Sequence, residues 1–109
     1  MTSTTAHADG MMIPDRVREV AAMATEAIRQ ELGLETRIRW FGSWPRGDAR
    51  PHSDIDLAVS RPRPIDPVEM ARARQRLEEL PTLYSVDLVD LGEAGEILKR
   101  EAEEEGIPL

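Results

Sequence analysis

The sequence predicts an α/β (α+β) fold, a small sheet with helices packed on it, built as one domain. Two observations carry this reading. Segments of period-two alternation at 36–41, 54–60 and 84–91 are interleaved with segments of helical period at 14–32, 67–80 and 93–105. A chain of 109 residues, 40% hydrophobic but only 4% aromatic, has room for one core, and that core must be mostly aliphatic.

Residues 1–12 are small, polar and without periodicity, and are expected to form a disordered arm, with His7 incidental within it. The domain proper is then 13–109. Pro14 suits the first position of a helix ending at Leu32, with Val17, Val20, Ala24 and Ile28 inward and Gly33 just past the end. Thr36 to Phe41 reads as a strand with Ile38 and Trp40 on one face and Arg37, Arg39 and Phe41 on the other. A short helical turn follows Gly42-Ser43, beginning near Trp44. Asp54 to Ser60 is the second strand, and Arg61-Pro62-Arg63-Pro64 breaks regular structure.

The next helix is the best marked. Asp66 caps it, Pro67 fits its first position, Glu69 completes a capping box, and Ile65 with Met70 forms a hydrophobic staple. Met70, Ala73, Leu77 and Leu80 make the buried stripe, and Pro81 ends it. Tyr84 to Leu91 is the third strand. The last helix spans Glu93 to Glu105, with Ile97 and Leu98 inward and Gly106 as its stop.

Composition narrows the function classes. No cysteine is present, so disulfides and thiolate metal sites are excluded. No apolar run approaches the ~18 residues of a membrane span, and the N-terminus lacks the basic start and apolar stretch of a signal peptide, so a cytoplasmic protein is expected. A net charge of -7 argues against gripping long nucleic acid through its phosphates. Glu101, Glu103, Glu104 and Glu105 read as a solvated helix face, whereas Arg37, Arg39, Arg46 and Arg50 gather around the Gly42-Ser43 turn.

The chemistry lies between Gly42 and Leu57. Asp54 and Asp56 stand two apart on a strand and project to one face, while Ile55, Leu57 and Val59 point into the core. Aspartate is depleted from strands and costly to bury unpaired, so side-by-side carboxylates here call for a cation. In the third strand, if Val86 and Leu88 share that core, Asp87 faces the same side as Asp54 and Asp56, and Asp90 faces away. Hard cations such as Mg²⁺ take carboxylate and phosphate oxygens, and two of them can clamp an in-line displacement. Gly42 lets the backbone approach a phosphate, and Ser43 supplies a hydroxyl and an N–H to hold it. Arg46 and Arg50 are either triphosphate contacts or members of a solvated helix. His52 and Ser53 read as loop-tip and strand-entry residues, Trp44 as packing against the first helix, and Tyr84 as strand packing.

The run Gly42-Ser43-x-x-x-Gly47-x-Ala49-x-x-x-Ser53-Asp54-Ile55-Asp56-Leu57, followed by Val86-Asp87-Leu88-Val89, resembles the minimal nucleotidyltransferases of the DNA polymerase β-like superfamily. The resemblance covers residues 14–109. It implies a mixed-sheet, palm-like fold, two Mg²⁺ ions, and transfer of a nucleoside monophosphate, AMP from ATP, with release of pyrophosphate. By position, Gly42 and Ser43 match the phosphate turn, and Asp54, Asp56 and Asp87 match the three metal ligands. It further implies an antitoxin paired with a helical HEPN-type toxin, on which a tyrosine receives AMP. A binding module that neutralises the partner by occlusion is the alternative. Two departures are Pro45, where a small helix-former is usual, and an end at Pro108-Leu109, where relatives often continue.

Overall fold

The structure is a computed structural model in which residues 13–109 are described. The expected arm at 1–12 lies outside them. The elements run α1 (Asp15–Leu32), β1 (Arg37–Phe41), α2 (Ser43–Arg46), β2 (Ile55–Ser60), α3 (Pro67–Glu78), β3 (Val86–Asp90), α4 (Glu96–Glu105) and β4 (Ile107–Pro108). The sheet order is β3-β2-β1-β4. β1 is antiparallel to both β2 and β4, and β2 is parallel to β3, so the sheet is mixed. The parallel pair needs a crossover, and α3 supplies it.

Period-two alternation divides the sheet into two buried faces. Ile38 and Trp40 of β1, Ile55, Leu57 and Val59 of β2, and Leu88 of β3 belong to the main core with Val17, Val20, Ala24 and Ile28 of α1 and Met70, Ala73 and Leu77 of α3. On the other face Phe41, Ala58, Leu91 and Ala102 form a smaller cluster under α4. The expected inward stripes of α1 and α3 are therefore observed. So is the capping box: Val68 N donates to Asp66 Oδ1 at 2.7 Å, and Asp66 N donates to Glu69 Oε1 at 3.2 Å.

Several boundaries differ from expectation. Pro14 caps α1 rather than opening it, because its extended backbone (ψ 149°) lies outside the helix. β2 begins one residue after Asp54, and β3 covers Val86–Asp90 only. α4 starts at Glu96 rather than Glu93, since Glu93 N and Ala94 N donate to Asp90 O and Leu91 O in a turn. That shift also corrects Ile97, which is 87% exposed while Leu98 and Ala102 face the sheet. Neighbours on a helix are ~100° apart, so the two aliphatics could not share one narrow face. The two-residue β4 was not expected, and Pro108, which lacks an N–H, is tolerated there because β4 is an edge.

The Arg61-Pro62-Arg63-Pro64 segment is irregular, as expected, but it is tightly built. The Arg61 side chain is 2% exposed and its guanidinium donates to Leu32 O (2.8 Å), Pro64 O (3.0 Å) and both Glu69 carboxylate oxygens.

Candidate active site

Asp54, Asp56 and Asp87 meet on the α4 face of the sheet. Asp56 and Asp87 are direct partners in the parallel β2–β3 register, so their strands set them ~5 Å apart side by side. Asp54 stands one residue before β2. All three line a cavity of about 710 Å³, together with Gly42, Ser43, Arg46 and Ser53. Asp90 lies outside it, with Oδ1 accepting from Gly92 N at 2.8 Å to fix the turn after β3.

Glycine is required at position 42. Its φ of 89° is a left-handed value, and a Cβ there would lie 2.3 Å from Asp56 Oδ2. The backbone of the turn is thus laid directly against the central carboxylate. Gly47, at φ 87°, ends the short α2 and donates to Ser43 O and Trp44 O. Trp44 packs in the main core as expected, edge-on to Tyr84, and its Nε1 donates to Ser53 O at 3.1 Å. Ser53 Oγ accepts from Arg50 N at 2.7 Å. These two bonds anchor the segment that delivers Asp54.

No hydrogen bond or ion pair among the described residues reaches the carboxylates of Asp54, Asp56 or Asp87. Burial, followed by the charges of Asp87, Asp54 and Glu101, pushes the Asp56 carboxyl up from 3.8 to about 6, while Arg46 pulls the other way. As placed, no group of three or more acids or histidines among the described residues closes up tightly enough to hold a metal ion. The donor set nevertheless fits a hard divalent cation, because it offers only carboxylate oxygens, crowded together, with no protein cation bonded between them.

Arg46 lines the cavity, with Nη1 on Glu101 Oε2 at 2.8 Å and Nε on Asp48 Oδ2 at 3.4 Å. Arg50 and His52 are exposed on the loop and do not line it. The sequence reading missed three charged lining residues: Glu101 of α4 and Arg74 and Glu78 of α3. Glu101 was expected on a solvated face. It instead borders the acids, since it stands one turn after Leu98 at the flank of the side of α4 that faces the sheet. Arg74 Nη2 donates to Leu88 O at 3.0 Å, on the edge strand.

The chain matches the polymerase beta nucleotidyltransferase family over residues 36–109, from the start of β1 through the acid strands to the end. It belongs to that family. A Haemophilus influenzae relative, named as a probable protein adenylyltransferase MntA, is 33% identical over 72 residues, which is 66% of this chain and 61% of that protein. The chain therefore spans about three-fifths of that curated relative. Among solved structures, a candidate minimal nucleotidyltransferase matches with a TM-score of 0.68 and 28% identity, covering 87% of this chain and 94% of the other. A toxin–antitoxin crystal structure with AMP-PNP matches with a TM-score of 0.64 and 27% identity, covering 78% and 68%. In both cases the likeness in fold covers most of this chain.

Proposed function

We propose that residues 13–109 form a Mg²⁺-dependent nucleotidyltransferase that moves AMP from ATP to a hydroxyl on a HEPN-type helical toxin, acting as its antitoxin. The observation that carries the reading is the set of three unpartnered carboxylates facing one cavity beside Gly42 and Ser43. The naming of the Haemophilus influenzae relative supports AMP and a protein acceptor, and the AMP-PNP toxin–antitoxin structure supports the nucleotide and the pairing.

In this reading Asp54, Asp56 and Asp87 would hold Mg²⁺, which when bound would supply charge neutralisation for the displacement. Gly42 keeps the backbone close enough for a phosphate to reach both the turn and Asp56. Ser43 donates its hydroxyl and N–H to the outer phosphates, and Arg46 offers paired donors to their oxygens. Arg50 approaches only from the loop rim. Asp87, on the strand nearest the open edge of the sheet, faces the incoming hydroxyl and receives its proton. The acceptor oxygen forms a bond to the α-phosphorus while the bond to the bridging pyrophosphate oxygen breaks.

Labelled ATP incubated with this protein and its helical partner tests the proposal. Label on the partner, lost in the Asp54→Asn/Asp56→Asn variant, is expected. A partner that stays unlabelled sinks it. A second reading, neutralisation by occlusion, draws on Leu83 and Ile97, two of the four large aliphatics exposed among the described residues. It predicts that the same double variant still neutralises a co-expressed toxin.

A further inference from the structure

We infer that Glu101 is a positioning residue that occupies Arg46 until a triphosphate displaces it, so that it sets the affinity of the site for nucleotide. The inference rests on the nucleotidyltransferase reading above. It starts from an arrangement which that reading does not need. The guanidinium of Arg46, the cation bordering the phosphate turn in the acid-lined cavity, is taken up by two carboxylates, Glu101 Oε2 at 2.8 Å and Asp48 Oδ2 at 3.4 Å.

The two contacts are unequal. Asp48 is local, two residues along the chain, exposed, and held only through Nε at the limit of a hydrogen bond. Glu101 comes from α4, 55 residues away, is partly covered, and takes Nη1, one of the paired donors that suit a phosphate oxygen. A carboxylate at that donor imitates the anion the site would bind. Phosphate oxygens reaching the Gly42-Ser43 turn would compete for the same N–H, and Glu101 would have to release it.

The exchange has a consequence for α4. This pair is the one side-chain ion pair among the described residues that ties α4 to the phosphate-turn segment. Nucleotide binding would therefore free the middle of α4, beside the exposed Ile97, from its tether across the cavity. The released Glu101 would remain near the acids, where its charge adds to the demand for a divalent cation.

The test is a double-mutant cycle on ATP affinity, measured calorimetrically with Mg²⁺ present for wild type, Glu101→Gln, Glu101→Asp, Arg46→Ala and Arg46→Ala/Glu101→Gln. Glu78→Gln, which removes another cavity-lining acid with no cation bonded to it, reports the effect of charge alone. Glu101→Gln is expected to tighten binding about three- to fivefold, the competition of one partly exposed ion pair. Glu101→Asp, too short to reach Arg46 but still charged, should tighten it similarly. In the Arg46→Ala background Glu101→Gln should do no more than Glu78→Gln does in wild type. Unchanged affinity in both Glu101 variants, or tightening that persists without Arg46, overturns the inference while leaving the transferase reading intact. Wild type that fails to bind ATP with Mg²⁺ overturns both.

Discussion

The two ends of β2 treat charge in opposite ways. Just past its C-terminal end, the Arg61 side chain is buried and fully engaged: Glu69 and the carbonyls of Leu32, Arg63 and Pro64 take its donors, and its hydrogen bond holds the Glu69 carboxyl below the usual range, assisted by Asp66 N. At its N-terminal end, Asp54, Asp56 and Asp87 crowd together with no bonded partner, and Asp56 is pushed up to about 6. The first arrangement is complete within the fold. The second, in the function proposed above, is completed by a divalent cation and a triphosphate, which is how a binding site differs from a structural ion pair.

Substitutions at the two ends should therefore separate activity from stability. The largest effect is expected for Asp56→Asn, which should lower AMP transfer to the partner on the order of 10³-fold, read in a labelled-ATP assay. Arg61→Met should do the reverse. It leaves three carbonyls and Glu69 without their donor, so melting is expected to fall by ~5–10 °C, with transfer at low temperature little changed. Equal loss of stability at both ends would break the comparison.

The same contrast has a pH signature. The folded protein holds the Asp56 proton up to about pH 6, whereas the unfolded chain releases it near 3.8. The stability from this preference is complete below the unfolded value and is lost as pH rises through about 6. Without metal, Asp56→Asn should therefore melt higher than wild type at pH 7, by about 1–2 kcal/mol after allowance for solvent screening at a half-buried site, and the gap should close towards pH 4. Thermal melts in chelator across that range check it. A local effect of comparable size is expected for Gly42→Ala, where the positive φ and the clash with Asp56 should cost about 1–3 kcal/mol and also weaken nucleotide binding. Least is expected from Arg50→Ala, because Arg50 does not line the cavity.

How much of this was legible in the sequence follows the same division. Period-two parity placed Asp54, Asp56 and Asp87 together and turned Asp90 away, because strand alternation is rigid and the parallel register aligns Asp56 with Asp87. Capping chemistry marked α3 for the same local reason. Long-range partners were not legible. Nothing near Arg61 in the chain announces Leu32, and nothing near Glu101 announces Arg46, 55 residues away. The glutamate run of α4 looked uniform, yet Glu101, partly covered, borders the cavity while Ile97, apolar and expected inside, is exposed. The orientation of α4 is set by packing of Ala102 against Phe41, Ala58 and Leu91, and the two-residue β4 that follows is too short to leave a pattern.

The central claim is that the acids at the start of β2 are an unfinished site completed by a divalent cation and a triphosphate. Calorimetric titration of ATP into the wild-type protein and the Asp54→Asn/Asp56→Asn variant, each with Mg²⁺ and with chelator, tests it most directly. Binding is expected only for wild type with Mg²⁺. Equal binding in all four titrations, or none in any, would contradict the account.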